Sequence, residues 1–162
     1  VRHRLPRRRR SSGLAIVEFA LVGLLTLIVL FGAIEMGRLL YTWNALTDGT
    51  RRGARVAAVC PLNHPAIANV TIWRRPDGTD TGIGFPNLTT ANVQITYLTE
   101  AGAAGATIAT AAFVRVAIVN YQLQLFIPTF DLTLNMPRFE TTLPAESLGI
   151  VPGGAPACVS PA

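Results

Sequence analysis

The chain has 162 residues, a formal charge of +5, and half of its residues are apolar. That length suffices for one ordinary domain plus one membrane helix. All fourteen basic residues are Arg and six lie in the first ten positions; they abut an apolar run, so the positive-inside rule accounts for them and no nucleic-acid partner is expected.

Residues 1–13 read as a basic leader, RHRLPRRRR followed by SSG. The run LAIVEFALVGLLTLIVLFGAI follows, from Leu14 to Ile34, and 17 of its 21 residues are apolar. As a helix it rises about 32 Å, against a hydrocarbon core of about 30 Å. Membrane lipid is therefore the first expected partner. The run is longer than the roughly 7–15 apolar residues of a secretory signal, and no small-x-small site closes it. Ala57-Ala58-Val59-Cys60 has a lipoprotein look, but Val59 before the cysteine and the distance from the span argue against that reading. Arg2, Arg4 and Arg7 to Arg10 outnumber Arg38, Arg51, Arg52 and Arg55 on the far flank. The span is expected to be a single pass, N-terminus in the cytoplasm and the rest extracytoplasmic.

The helix is expected to run over residues 14–60. Beyond the span, Leu39, Trp43, Leu46, Thr50, Gly53, Ala57 and Cys60 recur every three or four residues, while Asn44, Asp48, Arg51, Arg52 and Arg55 take the opposite face. That is an amphipathic helix. Asp48 can reach Arg51 and Arg52, and Glu35 can reach Arg38, each pair contributing a few tenths of a kcal/mol. Pro61 ends the helix.

Residues 61–151 are expected to form a β-sheet domain. Residues 68–73 (ANVTIW) read as a strand, 75–78 (RPDG) as a turn and 79–90 as a loop. Residues 92–98 read as a second strand, 101–106 (AGAAGA) as a flexible connection, and 113–123 as the strongest strand, with Phe113, Arg115, Ala117, Val119 and Tyr121 on one face. Residues 126–137 read as an apolar loop that either packs on the helix or binds a partner, and 138–143 as a fourth strand. Residues 152–162 are a Pro- and Gly-rich tail, extended unless Cys158 pins it. The fold class is α+β: a long helix, half membrane-spanning and half amphipathic, covering a small, mostly antiparallel sheet that could not bury both faces alone.

Constellations that carry chemistry are thin. His64 stands before Pro65 and His3 lies in the leader, neither with a Ser or Cys at a recognisable spacing. Asp77 and Asp80 offer too few oxygens for a calcium site. No nucleophile, metal cluster or phosphate loop appears, so neither enzymatic activity nor a cofactor is expected. Cys60 and Cys158 are either two free thiols or, as an extracytoplasmic location favours, a disulfide; its loop of about 100 residues corresponds to ~4.7 kcal/mol in the loop-entropy picture. Gly32 and Gly37 would let another helix approach closely.

RRRRSSG/LAIVEFAL resembles the processing site of the type IV-like prepilins of the Tad (Flp) pilus system. The continuation FGAIEMGRLLYTWNALTDGTRRGARVAA resembles the TadE-type minor pilins, with Glu35, Gly37, Arg38, Asn44, Gly53, Ala54, Arg55 and Ala57 matching their pattern. The likeness covers about residues 13–59; FETTLPAESLG at residues 139–149 shares it more loosely, and Gly23 departs from relatives that carry Pro there. The resemblance implies a type IV pilin-like fold and cleavage between Gly13 and Leu14 by a prepilin peptidase. It also implies an assembly role for Glu18 and Phe19, the fifth and sixth residues of the mature chain. The implied partners are the prepilin peptidase, the major Flp pilin, other minor pilins and the inner-membrane assembly platform, with surface attachment as the biology. The alternative is an uncleaved single-pass protein whose outer domain binds a ligand or assists secretion.

Overall fold

A computed structural model describes residues 12–79, 85–127, 130–153 and 158. The leader up to Ser11, with its arginines and His3, lies outside the described residues, as do Asp80 and most of the tail. The chain divides into two compact units, residues 1–37 and 38–162. Helix α1, Ser12–Val59, supplies the described part of the first unit and continues into the second. The second unit also holds α2 (Pro65–Thr71), β1 (Val93–Leu98), β2 (Phe113–Ile118), β3 (Gln122–Ile127), β4 (Phe130–Asn135) and β5 (Phe139–Pro144).

The fold is α+β and pilin-like in arrangement, a long apolar N-terminal helix packed against small antiparallel sheets. There are two sheets rather than one: a three-stranded β1-β2-β5 sheet and a two-stranded β3-β4 sheet. Both are antiparallel throughout. In the second unit, Leu46, Thr50, Ala54 and Ala57 on α1, and Cys60 just after it, are fully buried. The last three, with Ala58, meet Ile67, Tyr97, Val114 and Val116 in one core cluster. Leu46 joins Ile72, Ile118, Tyr121, Leu123, Met136 and Phe139 in a second. Thr50 is paired as well as buried, its hydroxyl 2.9 Å from that of Thr141. Trp43 is 45% exposed and meets the ring of Phe139 edge-on at 5.0 Å.

Residues 68–73 are not a strand. They lie in and just after α2, because Pro65 occupies its first turn and the imidazole of His64 caps it, Nδ1 accepting from the N–H of Ala66 at 3.2 Å. Proline costs nothing at that position, where its missing N–H would have no partner. The β-branched Thr71 is accommodated because its hydroxyl donates to the carbonyl of Ile67 at 2.7 Å. The His64-Pro65 pair was the readable signal; alternation of Val70 and Ile72 outweighed it.

The long strand at 113–123 is two strands. Asn120 adopts a left-handed φ of 55°. Asn92 holds the corner: its carbonyl accepts from the N–H of Val119 at 2.8 Å, and its Nδ2 donates to the carbonyls of Val119 and Asn120 at 3.1 and 3.3 Å. Along β2, Val114, Val116, Ala117 and Ile118 are fully buried, whereas Phe113 and Arg115 are half-buried. Residues 126–137 are not a loop either. Phe126 and Ile127 end β3 and residues 130–135 form β4, paired to β3 with Leu125 opposite Leu132 and Leu123 opposite Leu134. The alternation at 130, 132 and 134 is a strand signature that the flanking prolines obscured.

Two close approaches set the second unit's geometry. α1 and α2 cross where α1 has Gly49 and Gly53. A Cβ at Gly53 would stand 1.9 Å from the hydroxyl oxygen of Thr71, and one at Gly49 would stand 2.5 Å from its carbonyl. After Val59 the helix ends at Pro61, and its last carbonyls are claimed by residues 146–149. Ala58 accepts from the N–H groups of Glu146 and Leu148, at 3.0 and 3.3 Å. Val59 accepts from the N–H of Gly149 at 2.8 Å and from the Ser147 hydroxyl at 3.2 Å. Those groups would otherwise be orphan acceptors. Gly149 has φ +81°, and a Cβ there would meet the Pro61 ring at 2.5 Å. Gly53→Ala and Gly149→Ala are each expected to destabilise the protein by about 1–3 kcal/mol, the usual range for overpacking. Denaturant unfolding of the detergent-solubilised chain, followed by circular dichroism, measures both.

Candidate functional site

Among the described residues, the apolar side chains of the first unit from Leu14 to Ile34 stand exposed. Leu14 is 75% exposed and Phe19 79%. The most apolar window of the helix is wholly unburied, with a mean hydropathy of 2.7, and α1 is long and apolar enough to cross a membrane. A bare apolar surface of this size far exceeds the few hundred Å² that soluble monomers tolerate. Thr26, polar within the run, donates its hydroxyl to the carbonyl of Val22 at 2.8 Å, which satisfies it without an outside partner.

Gly13, Leu14, Glu18 and Phe19 all lie within the first two turns of α1. Leu14 and Glu18 are four residues apart and so share a helix face. Glu18 is the one ionisable residue between Leu14 and Ile34. A Cβ placed on Gly13, Gly23, Gly32 or Gly37 would meet no atom within 4 Å.

In the second unit Arg38 donates to the backbone carbonyl of Gln124, and its guanidinium carbon lies 4.4 Å over the Phe126 ring. Nothing local in the sequence points to this acceptor on β3, 86 residues away. Arg52 and Asp48 form an ion pair at 3.0 Å, and the Arg52 guanidinium also stacks over Trp73 at 3.8 Å. Both partners of the ion pair are about half exposed, so it contributes at most a few tenths of a kcal/mol. Cys60 and Cys158 are joined in a disulfide across 98 residues. It fastens the tail to the buried end of α1.

Asp77 forms an Asx turn, accepting from the N–H and hydroxyl of Thr79 at 3.0 and 2.8 Å. Those bonds hold its carboxyl below the ordinary range. They also engage the oxygen that a cation would need. Among the described residues no cluster of three or more His, Cys, Asp or Glu is placed to hold a metal ion. His64 is occupied as the cap of α2.

Residues 13–55 match the TadE-like protein family. The matched segment is about a quarter of the chain, begins at Gly13 and lies wholly within α1. The TadE-like family comprises Tad pilus-associated proteins with an N-terminal hydrophobic helix and is not an enzyme family. No curated protein and no solved structure matches the chain.

Two measurements test the second unit. Replacing Cys158 with Ser is expected to destabilise it by up to ~4.7 kcal/mol, the loop-entropy ceiling for a loop of about 100 residues, read from denaturant midpoints with and without reductant. Tyr97 is the pH-sensitive group. Burial pushes its hydroxyl above the ordinary 10.0, with the N–H of Asn63, 3.1 Å away, pulling the other way. Burial raises Tyr121 likewise, opposed by the charge of Arg38. A raised value means the folded chain holds the proton more tightly. The stabilisation is therefore complete below pH 10 and falls as pH rises through 10 toward the folded value. Tyr97→Phe is expected to lower stability at pH 7 by about 1–3 kcal/mol, since the Asn63 N–H loses its acceptor, and to flatten the alkaline loss in thermal melts taken across pH 9–12 (an expected range, from the ordinary tyrosine value of about 10).

Proposed function

With a TadE-like segment at residues 13–55 as the premise, we propose that this chain is a minor pilin, or pseudopilin, of a Tad (Flp) pilus. A prepilin peptidase cuts it after Gly13, and the mature helix from Leu14 packs with other pilin helices in the pilus or its initiation complex, serving surface attachment. Before assembly it is a single-pass inner-membrane protein with residues 35–162 extracytoplasmic. The Cys60–Cys158 disulfide supports that side of the membrane, since such bonds persist in oxidising compartments. Its partners on this reading are the peptidase, the major Flp pilin, other minor pilins and the assembly platform.

One observation carries the reading: a lone carboxylate, Glu18, sits one turn beyond Leu14 on an apolar helix that its own chain leaves bare. An unpaired charge inside a bilayer costs roughly 2.5–3.5 kcal/mol at the centre and less toward the edge. Cleavage after Gly13 creates an amine on Leu14, on the same face as Glu18. At 4 Å and an effective dielectric near 20 the attraction is ~4 kcal/mol, enough to offset the burial. Whether the amine is the chain's own or a neighbour's, only the processed form supplies it. Proteolysis thereby becomes the step that licenses helix packing.

N-terminal sequencing of the membrane-fraction protein, from cells with an active peptidase, is expected to begin at Leu14. Gly13→Ala is expected to leave the chain uncut. Glu18→Gln is expected to be cut normally yet to enter filaments at least about tenfold less, equivalent to ~1.4 kcal/mol. A mature chain that retains residues before Gly13 would return the protein to an anchored outer domain that is never processed. Wild-type assembly by Glu18→Gln would refute the charge pairing.

A further inference from the structure

Within the second unit, Tyr41, Asn44, Ala45 and Asp48 follow the spacing i, i+3, i+4, i+7 and so share one face of α1. Trp73, just after α2, and Phe85 stand against that stripe. Together these six residues line a cavity of about 260 Å³. Phe85 stacks on Tyr41 with ring centroids 6.0 Å apart and planes 26° from parallel. Ala45, in the middle of the stripe, is small and buried, while Tyr41 and Asn44 are exposed.

Trp73 is held in this wall against its own preferences. Its φ of 65° is left-handed, a conformation that glycine adopts without strain just past a helix end and a bulky side chain rarely does. Its indole Nε1 is buried and has no hydrogen-bond partner among the described residues, whereas a buried indole N–H ordinarily finds one. A phenylalanine would fill the same wall without the orphaned N–H. Packing therefore does not select tryptophan at this position, and strain retained at a cavity wall points to a residue kept for what its ring contacts.

Charge narrows what that contact is. The Asp48 carboxylate is paired with Arg52 at 3.0 Å, and the Arg52 guanidinium carbon lies 3.8 Å over the Trp73 ring. Aromatic walls beside a carboxylate would attract a cation, but here the chain supplies its own, and the charges of the two side chains cancel. An ionic ligand gains little from such a site. Three aromatic rings, the Asn44 amide and the carboxylate oxygens of Asp48 remain. They suit a molecule with apolar C–H faces and hydroxyl edges, and a neutral sugar ring has both. The volume lies just under the roughly 300–1,000 Å³ of pockets that take drug-sized ligands, so it suits one ring rather than a chain of them.

We propose that this cavity, between the Tyr41–Asp48 stripe of α1 and the rings of Trp73 and Phe85, binds a single pyranose of a neutral saccharide. The aromatic wall takes a C–H face of the sugar, hydroxyls donate to the Asp48 carboxylate, and the Asn44 amide both donates and accepts. All six residues belong to the second unit. The proposal is independent of whether residues 14–34 cross a membrane and of cleavage after Gly13.

The test uses the full chain in a polyoxyethylene ether detergent, which carries no sugar headgroup. Saturation-transfer NMR is run with glucose, galactose, mannose and N-acetylglucosamine, and with tetramethylammonium as the cationic probe. At least one sugar is expected to give saturable transfer, strongest at its ring C–H protons and absent for tetramethylammonium. Tyr41→Ala and Asn44→Ala, both at exposed helical positions, are expected to weaken that binding at least about tenfold while leaving the circular dichroism melt unchanged. Absence of saturable transfer from every sugar overturns the proposal, as does sugar binding that neither substitution weakens. Tetramethylammonium bound more tightly than any sugar, and lost in Tyr41→Ala, overturns it in favour of a cation cage. A chain that ignores sugars, runs as a dimer on sizing and becomes monomeric with Tyr41→Ala overturns it in favour of a second copy seated in the cavity.

Discussion

An apolar helix without a cover is the constraint from which the rest follows. From Leu14 to Ile34 the apolar side chains are exposed, with no described residue burying them. Water cannot be their lasting environment, because the exposed apolar area is far beyond what a soluble surface sustains. Lipid or other helices can supply the cover.

Beyond Gly37 the same helix meets the opposite condition. Its inward face is made of small residues, Gly49, Gly53, Ala54, Ala57 and Ala58, and Thr71 of α2 fits directly onto the two glycines. Small residues there do not weaken the core. They let α2 and the β1-β2-β5 sheet approach the helix backbone, and the large side chains come from the other partner, Ile67, Tyr97, Val114 and Val116. Residues 146–149 close the helix end by accepting no slack: four donors reach two carbonyls, and the disulfide adds a covalent link two residues past Ala58. The likeness to the TadE-like family ends at residue 55, inside this helix. What this chain shares with that family is thus the anchoring element and the surface on which an outer domain is built, while the sheets lie outside the match.

Much of the candidate site was legible because it is local. Gly13, Leu14, Glu18 and Phe19 are neighbours in sequence, and a membrane span is set by length and apolar content alone. The antiparallel pairing of β1, β2 and β5 was approachable from alternation. Errors fell where two local signals conflicted or where the deciding contact was remote. Val70, Thr71 and Ile72 carry strand propensity, yet His64 and Pro65 start a helix whose β-branched Thr71 is welcomed by a glycine on α1. Asn120 looks like an ordinary strand residue until Asn92 is seen to bind the carbonyls on either side of the bend.

The sequence by itself determined the long helix, its apolar first half, the acid placed one turn into it and the class of fold, since each depends on residue type and spacing along a single element. Only the tertiary structure decided that the sheet is two sheets, which residues of β2 are fully buried, that Arg38 reaches across to β3, and that Leu132 and Leu134 stand uncovered. These depend on contacts across tens of residues. Their energies are settled by packing and by partners for buried polar groups, and no local pattern encodes them.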